Sequence, residues 1–205
     1  MSAVFLRYGD LKLFIAALGL VGTFLYTYGL FAITGYFTSI YPIYLGIFGL
    51  SIYSLVFGLS SFKSMTGQLN LLPGRLRRFI AIFLSVICFL FVFLWISVLF
   101  PLSSSHSRPD TYAVFILDLC VVLPGLAITA FLLFRSIPFG DLLAGVFLIK
   151  VVTLILPVAI GEIILLPHHR LADYGMASIY GVIVVLSLFL SVIYLWKLRI
   201  GTPYS

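Results

Sequence analysis

Phe139-Gly-Asp-Leu-Leu-Ala-Gly-Val-Phe-Leu-Ile-Lys-Val-Val-Thr-Leu-Ile-Leu-Pro-Val-Ala-Ile-Gly-Glu-Ile-Ile-Leu-Leu166 is the stretch on which the fold turns. It is apolar on every face and longer than the roughly 20 residues that carry a helix across a hydrocarbon layer about 30 Å thick. A strand that spans a membrane alternates polar and apolar residues over about ten positions, and nothing of that kind appears in it. The stretch reads as a membrane helix. One ammonium group, that of Lys150, stands in its middle.

Five more runs of the same kind surround it, from Leu13 to Ile33, Ile40 to Phe62, Phe79 to Phe100, Tyr112 to Phe134 and Tyr174 to Trp196. Over all 205 residues, 63% are hydrophobic, 9% are charged and the mean hydropathy is +1.26. That is more apolar surface than a soluble core of this size can hide. The runs predict an all-α polytopic bundle of six transmembrane helices spanning residues 1–205 as one domain. The short connections leave no room for a soluble module, and the lipid bilayer is the first partner implied.

The basic residues set the expected orientation. Arg7, Lys12, Lys63, Arg75, Arg77, Arg78, Arg135, Lys197 and Arg199 fall on one side of the six runs, against only Arg108 and Arg170 on the other. Cytoplasmic loops are the Lys- and Arg-rich ones, so both termini are expected in the cytoplasm. The net charge of +6 follows from that bias and calls for no nucleic acid. The segment Leu69-Asn-Leu-Leu-Pro-Gly-Arg-Leu-Arg-Arg78 is expected to lie against anionic headgroups. The first run lacks a small-residue cleavage pattern and is read as a retained helix, not a signal peptide. Cys88 and Cys120 stand alone within spans and read as small apolar residues.

Several membrane chemistries are excluded by missing signatures. No histidine lies within a span, which removes a haem held between helices. There is no H-E-x-x-H, G-x-S-x-G, phosphate-binding glycine loop or C-x-x-C. No cofactor and no metal site are expected, and no catalytic residue is assigned. Membership among enzymes is left open, with a non-enzymatic role favoured.

Each span, read at about 100° per residue, has a stripe of small and polar side chains. On the fifth, Lys150, Thr153, Pro157 and Gly161 share one face. On the fourth, Asp118, Val122, Gly125 and Thr129 do. Gly22, Tyr26 and Gly29 mark the first, Gly46, Gly49 and Tyr53 the second, and Tyr180, Ser187, Ser191 and Tyr194 the sixth. Small residues let membrane helices approach closely, so these stripes are expected to face the bundle interior. At a rise of about 1.5 Å per residue, Asp118 lies roughly 9 Å from the end opposite the basic loops and Lys150 about 20 Å. A lysine stem reaches about 6 Å, which predicts a direct or water-bridged Asp118–Lys150 pair. Charges at such depth cost at least about 3 kcal/mol each unless they are compensated, and they mark substrate or ion paths. Pro124 and Pro157 each remove a helix hydrogen bond beside these charges and predict two kinks.

The candidate ligand or ion pathway is therefore Asp118, Lys150, Glu162, Thr153, Pro124 and Pro157, opening to the outside with Glu162 at the mouth. His106, His168, His169 and Asp173 in the outer loops are further candidates, although their spacing matches no zinc pattern. The leading expectation is transport or binding of a small solute or ion. The alternative is a non-catalytic subunit or scaffold of a larger membrane complex, with membrane protein partners or copies of itself and a purely structural Asp118–Lys150 pair. An enzyme acting on lipid headgroups comes third, and requires His106, His168 and Glu162 to form a cleft.

Two internal echoes suggest duplication of a two-helix hairpin. Phe14-Ile-Ala16 matches Phe79-Ile-Ala81, and the run from Tyr41 to Phe62-Lys-Ser64 parallels that from Tyr112 to Phe134-Arg-Ser136. The segments Ile116-Leu-Asp-Leu-Cys-Val-Val-Leu-Pro124, Leu132-Leu-Phe-Arg-Ser-Ile-Pro-Phe-Gly140 and Phe147-Leu-Ile-Lys150 resemble a family of uncharacterised prokaryotic six-helix membrane proteins with a similar Asp, Pro, Arg, Gly and Lys layout over residues 116–150. That resemblance implies six helices in the plasma (inner) membrane and carries no activity. In length, helix number and cytoplasmic termini the chain also resembles the membrane substrate-binding components of vitamin importers, although its first helix has no Ala-x-x-x-Ala motif.

Overall fold

A computed structural model describes residues 10–35, 37–65, 69–70, 72–165 and 174–200 of the chain. Six helices in it are long and apolar enough to cross a membrane. They are α1 Asp10–Thr34, α2 Tyr41–Met65, α3 Gly74–Ser104, α4 Tyr112–Phe134, α5 Pro138–Leu165 and α6 Tyr174–Lys197. The single departure from helix among the described elements is a two-residue antiparallel pairing of β1 Leu69–Asn70 with β2 Arg199–Ile200. It ties the α2–α3 connection to the chain leaving α6.

Sequential helices pack as pairs, α1 with α2, α3 with α4, and α5 with α6. α1 also lies against α4 and α5, and α5 against α4, so these three form the centre of the bundle. α2 and α3 are peripheral. Their outward faces are lined by large apolar side chains such as Phe57, Phe89 and Phe93, as expected where the surrounding solvent is hydrocarbon. The α2 stripe turns out to belong to this outer surface. Gly46 is exposed, Tyr53 is 64% exposed, and neither Gly46 nor Gly49 has an atom within 4 Å of the place a Cβ would occupy. α2 touches the bundle mainly through α1, so the face carrying its small residues has nothing to pack on.

The stripes of α1, α4 and α6 do point inward, whereas that of α5 turns outward at its far end, where Pro157 is exposed and nothing lies within 4 Å of a Cβ added at Gly161. Ser187, Ser191 and Tyr194 of α6 are buried. Gly125 of α4 receives the Phe147 ring, whose Cζ would stand 2.5 Å from an added Cβ. At Gly145 the Tyr194 ring and the Ile15 side chain occupy the space a methyl would need, with Ile15 Cγ2 at 2.6 Å. α1, α5 and α6 meet closely here.

The turn between α4 and α5 is tight. Ser136 takes φ 55°, and the amides of Ser136 and Ile137 bond back to the carbonyls of Leu133 and Leu132 at 3.0 and 2.9 Å. This left-handed cap closes the last turn of α4, and Pro138 then opens α5, where its missing N–H is not needed.

The end of the bundle carrying Arg75, Arg77 and Arg78 contains a feature absent from the sequence reading. α3 starts at Gly74, before its apolar run, and so brings Arg77 inside. Arg77 Nε and Nη2 donate to the two carboxylate oxygens of Asp141 at 2.8 and 2.7 Å. The Leu72 amide donates to Oδ2 at 3.1 Å, and the Tyr194 hydroxyl donates to the Asp141 carbonyl at 2.8 Å. Three helices thus meet on one carboxylate and its own backbone. The expectation that all three arginines lie against headgroups is corrected. Arg75 and Arg78 are exposed, whereas Arg77 is 7% exposed and committed to Asp141.

Candidate binding cavity between the helices

The fourth helix does not run straight through Pro124. Between Tyr112–Leu117 and Leu123–Phe134 lies one wide π turn, Asp118–Val122, in which the Leu123 amide reaches five residues back to the Asp118 carbonyl. Pro124 has no N–H to offer the regular ladder, and the helix takes up the loss by widening one turn earlier. The break expected at Pro124 is therefore a bulge that begins on Asp118. α5, in contrast, continues unbroken from Pro138 to Leu165 with Pro157 exposed on its flank.

Asp118 is 8% exposed. The Trp95 indole N–H from α3 donates to its Oδ2 at 2.8 Å, and Tyr26 from α1 reaches the same carboxylate. The Trp95 ring stands edge-on to Phe115, with centroids 5.1 Å apart, which fixes the direction of its N–H. Asp118 is thus held by uncharged donors from two neighbouring helices.

Lys150 is 6% exposed. Its methylene stem lies along Gly22 of α1, where an added Cβ would stand 3.3 Å from Cδ. Its ammonium is 5.6 Å from the Tyr26 ring centre and 5.8 Å from that of Phe147, close enough for weak cation–π attraction. Asp118 and Lys150 influence each other electrostatically. They nevertheless form no ion pair within 4.0 Å, and no hydrogen bond to the ammonium is present among the described residues. The direct contact expected between them is absent because Trp95 and Tyr26 occupy the carboxylate while Gly22 draws the lysine stem toward α1.

Thr153 is also turned toward α1. Its hydroxyl lies 2.6 Å from that of Thr23 and 2.9 Å from the Ile149 carbonyl. It braces α1 against α5 and does not line the cavity.

Asp118 and Lys150 share the wall of one cavity of about 350 Å³. Tyr26, Trp95, Thr111 and Tyr180 supply its other polar groups, and the rest of the wall is apolar. Thr111 is exposed at the end of the bundle away from Arg77, so the space extends from that rim down to Lys150. Glu162 is half-buried and acts electrostatically on Tyr180 without lining the cavity itself. His106 is exposed in the α3–α4 loop at φ 52° and is not on the wall. His168, His169 and Asp173 lie outside the described residues. Among the described residues no group of three His, Cys, Asp or Glu side chains converges to hold a metal.

Trp95 and the Arg77–Asp141 pair are the polar groups that the sequence reading missed. A tryptophan within a span has an N–H that needs an acceptor, and with only six carboxylates in the chain, Asp118 was one of few choices. Compared with known protein families, curated proteins and solved structures, the chain matches none.

Proposed function

We propose that this chain is a small multi-pass membrane protein that binds or transports a small solute through the cavity containing Asp118 and Lys150. The reading includes placement in a prokaryotic plasma membrane with both termini cytoplasmic, supported by the excess of basic residues at one end, so that the Thr111 rim opens outward. The pairing of successive helices accords with descent from a duplicated hairpin. One observation carries the functional reading: a buried ammonium without a hydrogen-bonding partner among the described residues faces a cavity beside a carboxylate that other groups already hold. An unpaired charge in such surroundings is expensive, and a site that accepts a ligand recovers the loss when occupied. Asp118 is the group that exchanges a proton, and Lys150 is the nearby positive charge.

Access decides the matter. In a background where Cys88 and Cys120 are serine, Lys150→Cys in proteoliposomes should react with a small water-soluble methanethiosulfonate added from the Thr111 side. No reaction under conditions that label an exposed control cysteine at Ser104 would mean that the lysine is sealed and the reading is wrong. Asp118→Asn should also abolish reconstituted uptake or proton flux.

A second reading, a non-catalytic subunit of a larger membrane complex, draws on α2, whose open Gly46 and Gly49 face could receive another helix. It expects co-purifying partners, and retained function when Asp118 and Lys150 are both replaced by leucine.

A further inference from the structure

The wall of the cavity restricts what it can hold. Beyond its few polar groups the lining is hydrocarbon and aromatic, with Ile87 and Phe91 from α3, Leu126 from α4, and Leu154, Ile155 and Val158 from α5. A hydrated inorganic ion would leave most of this surface facing water. A wholly apolar guest would leave the ammonium without an acceptor. The guest that satisfies both is an amphiphile with a compact acceptor at one end.

Charge selects the head. The Asp118 carboxylate already has Trp95 and Tyr26 upon it and a lysine nearby, so it offers little to a cationic head. Lys150 has three N–H donors, and no hydrogen bond to them is present among the described residues. A single ammonium beside a carboxylate suits a monoanion. A phosphate monoester would bring up to two charges and three acceptor oxygens to a site with one cation. Size selects the tail: at about 30 Å³ for each water-sized group, a cavity of about 350 Å³ holds roughly a dozen non-hydrogen atoms.

The position of the cavity suits a guest dissolved in the membrane. α3 packs chiefly along α4. Between α3 and α6, toward the basic end, lies an apolar groove in which Phe83 and Val86 face Leu186 and Leu190. Its upper residue, Val86, is the neighbour of Ile87 on the cavity wall.

We infer that the cavity binds a medium-chain carboxylic acid of about eight to twelve carbons, its carboxylate on Lys150 and its hydrocarbon chain among Phe91, Leu126 and Ile155. This rests on the functional reading above and names its ligand class.

The chain carries its own reporter. It has two tryptophans, of which Trp95 lines the cavity and Trp196 is 76% exposed at the far end of α6. With Trp196→Phe in the full-length protein in non-ionic detergent, Trp95 is the sole indole. An ω-bromo decanoate probe should quench its emission saturably, and unlabelled decanoate should reverse the quenching. Decanol and decyltrimethylammonium at equal concentration should not. Lys150→Met should weaken the probe by about tenfold or more, the size of one charge-assisted hydrogen bond. Reversal by decanol or by the cationic amphiphile as effective as that by decanoate overturns the carboxylate assignment, and that comparison needs no variant at Lys150. Unsaturable quenching by the acid, while Lys150→Cys remains reactive from the rim, overturns the ligand class and leaves the site standing. Failure of both removes the site as well.

Discussion

Asp141 and Asp118 are both buried carboxylates, yet they are satisfied in opposite ways. Asp141 faces a guanidinium in a two-pronged contact, and a backbone amide takes up the remaining capacity of Oδ2. Removing Arg77 strands that charge, so Arg77→Met should lower stability by about 3–5 kcal/mol. The double variant Arg77→Met with Asp141→Leu should recover only part of this, because the Leu72 amide is then left without its acceptor. Thermal unfolding midpoints in detergent, measured for the two singles and the double, check the order. Ser187 offers the converse case. Its hydroxyl is buried without a partner among the described residues, so Ser187→Ala should leave the midpoint unchanged or raise it, and a fall of several degrees would contradict that account.

At the scale of the helix, two positions separate space from conformation. Gly145 is helical and ordinary in its backbone, but Tyr194 and Ile15 leave no volume for a methyl. The blocking atoms belong to side chains that are themselves fully buried. Gly145→Ala should therefore cost about 1–3 kcal/mol or more through forced repacking. Ser136 has room but sits at φ 55°, a backbone region that disfavours any side chain. Ser136→Gly should stabilise the α4–α5 turn by about 1 kcal/mol, read as a higher unfolding midpoint with no change in the fluorescence of Trp95. Glycine is thus favoured at both positions, at Gly145 for lack of space and at Ser136 for the backbone angle.

For the whole molecule, the spans were legible because each is a long run with little or no charge, and that property needs no knowledge of neighbours. Which side of a span looks inward was legible in part. The stripes of α1, α4 and α6 point into the bundle, while the small residues of α2 lie on a face with nothing packed on Gly46 or Gly49. Of the direct or water-bridged Asp118–Lys150 pair, the direct form is absent for a related reason. Depth along two helices was readable, but the competition between Trp95, Tyr26 and Gly22 for the same two side chains depends on α1 and α3, whose rotation is not written in either local sequence. Arg77 was assigned to the lipid surface because a cluster of three arginines looks uniform until one of them finds a carboxylate more than sixty residues away. The same arrangement orders the two thiols. Cys120 is exposed on the lipid side of the π turn, and Cys88 is half-buried against the Leu123 carbonyl. N-ethylmaleimide in mild detergent should modify Cys120 well before Cys88, as read by mass spectrometry of timed samples.

The Arg77–Asp141 contact also has a mechanical meaning. It pins one end of α3 to the centre of the bundle, while Trp95, 18 residues further along the same helix, grips Asp118 near the other end. At about 1.5 Å per residue the two points are about 27 Å apart, so α3 is a lever with its fulcrum at the basic end. A tilt of only about five degrees about that fulcrum displaces Trp95 by roughly 2 Å over that arm, enough to part the indole from the carboxylate. The stretch of α3 that walls the cavity, from Ile87 to Trp95, lies along that arm, so unlatching Asp118 and widening the chamber would be a single movement.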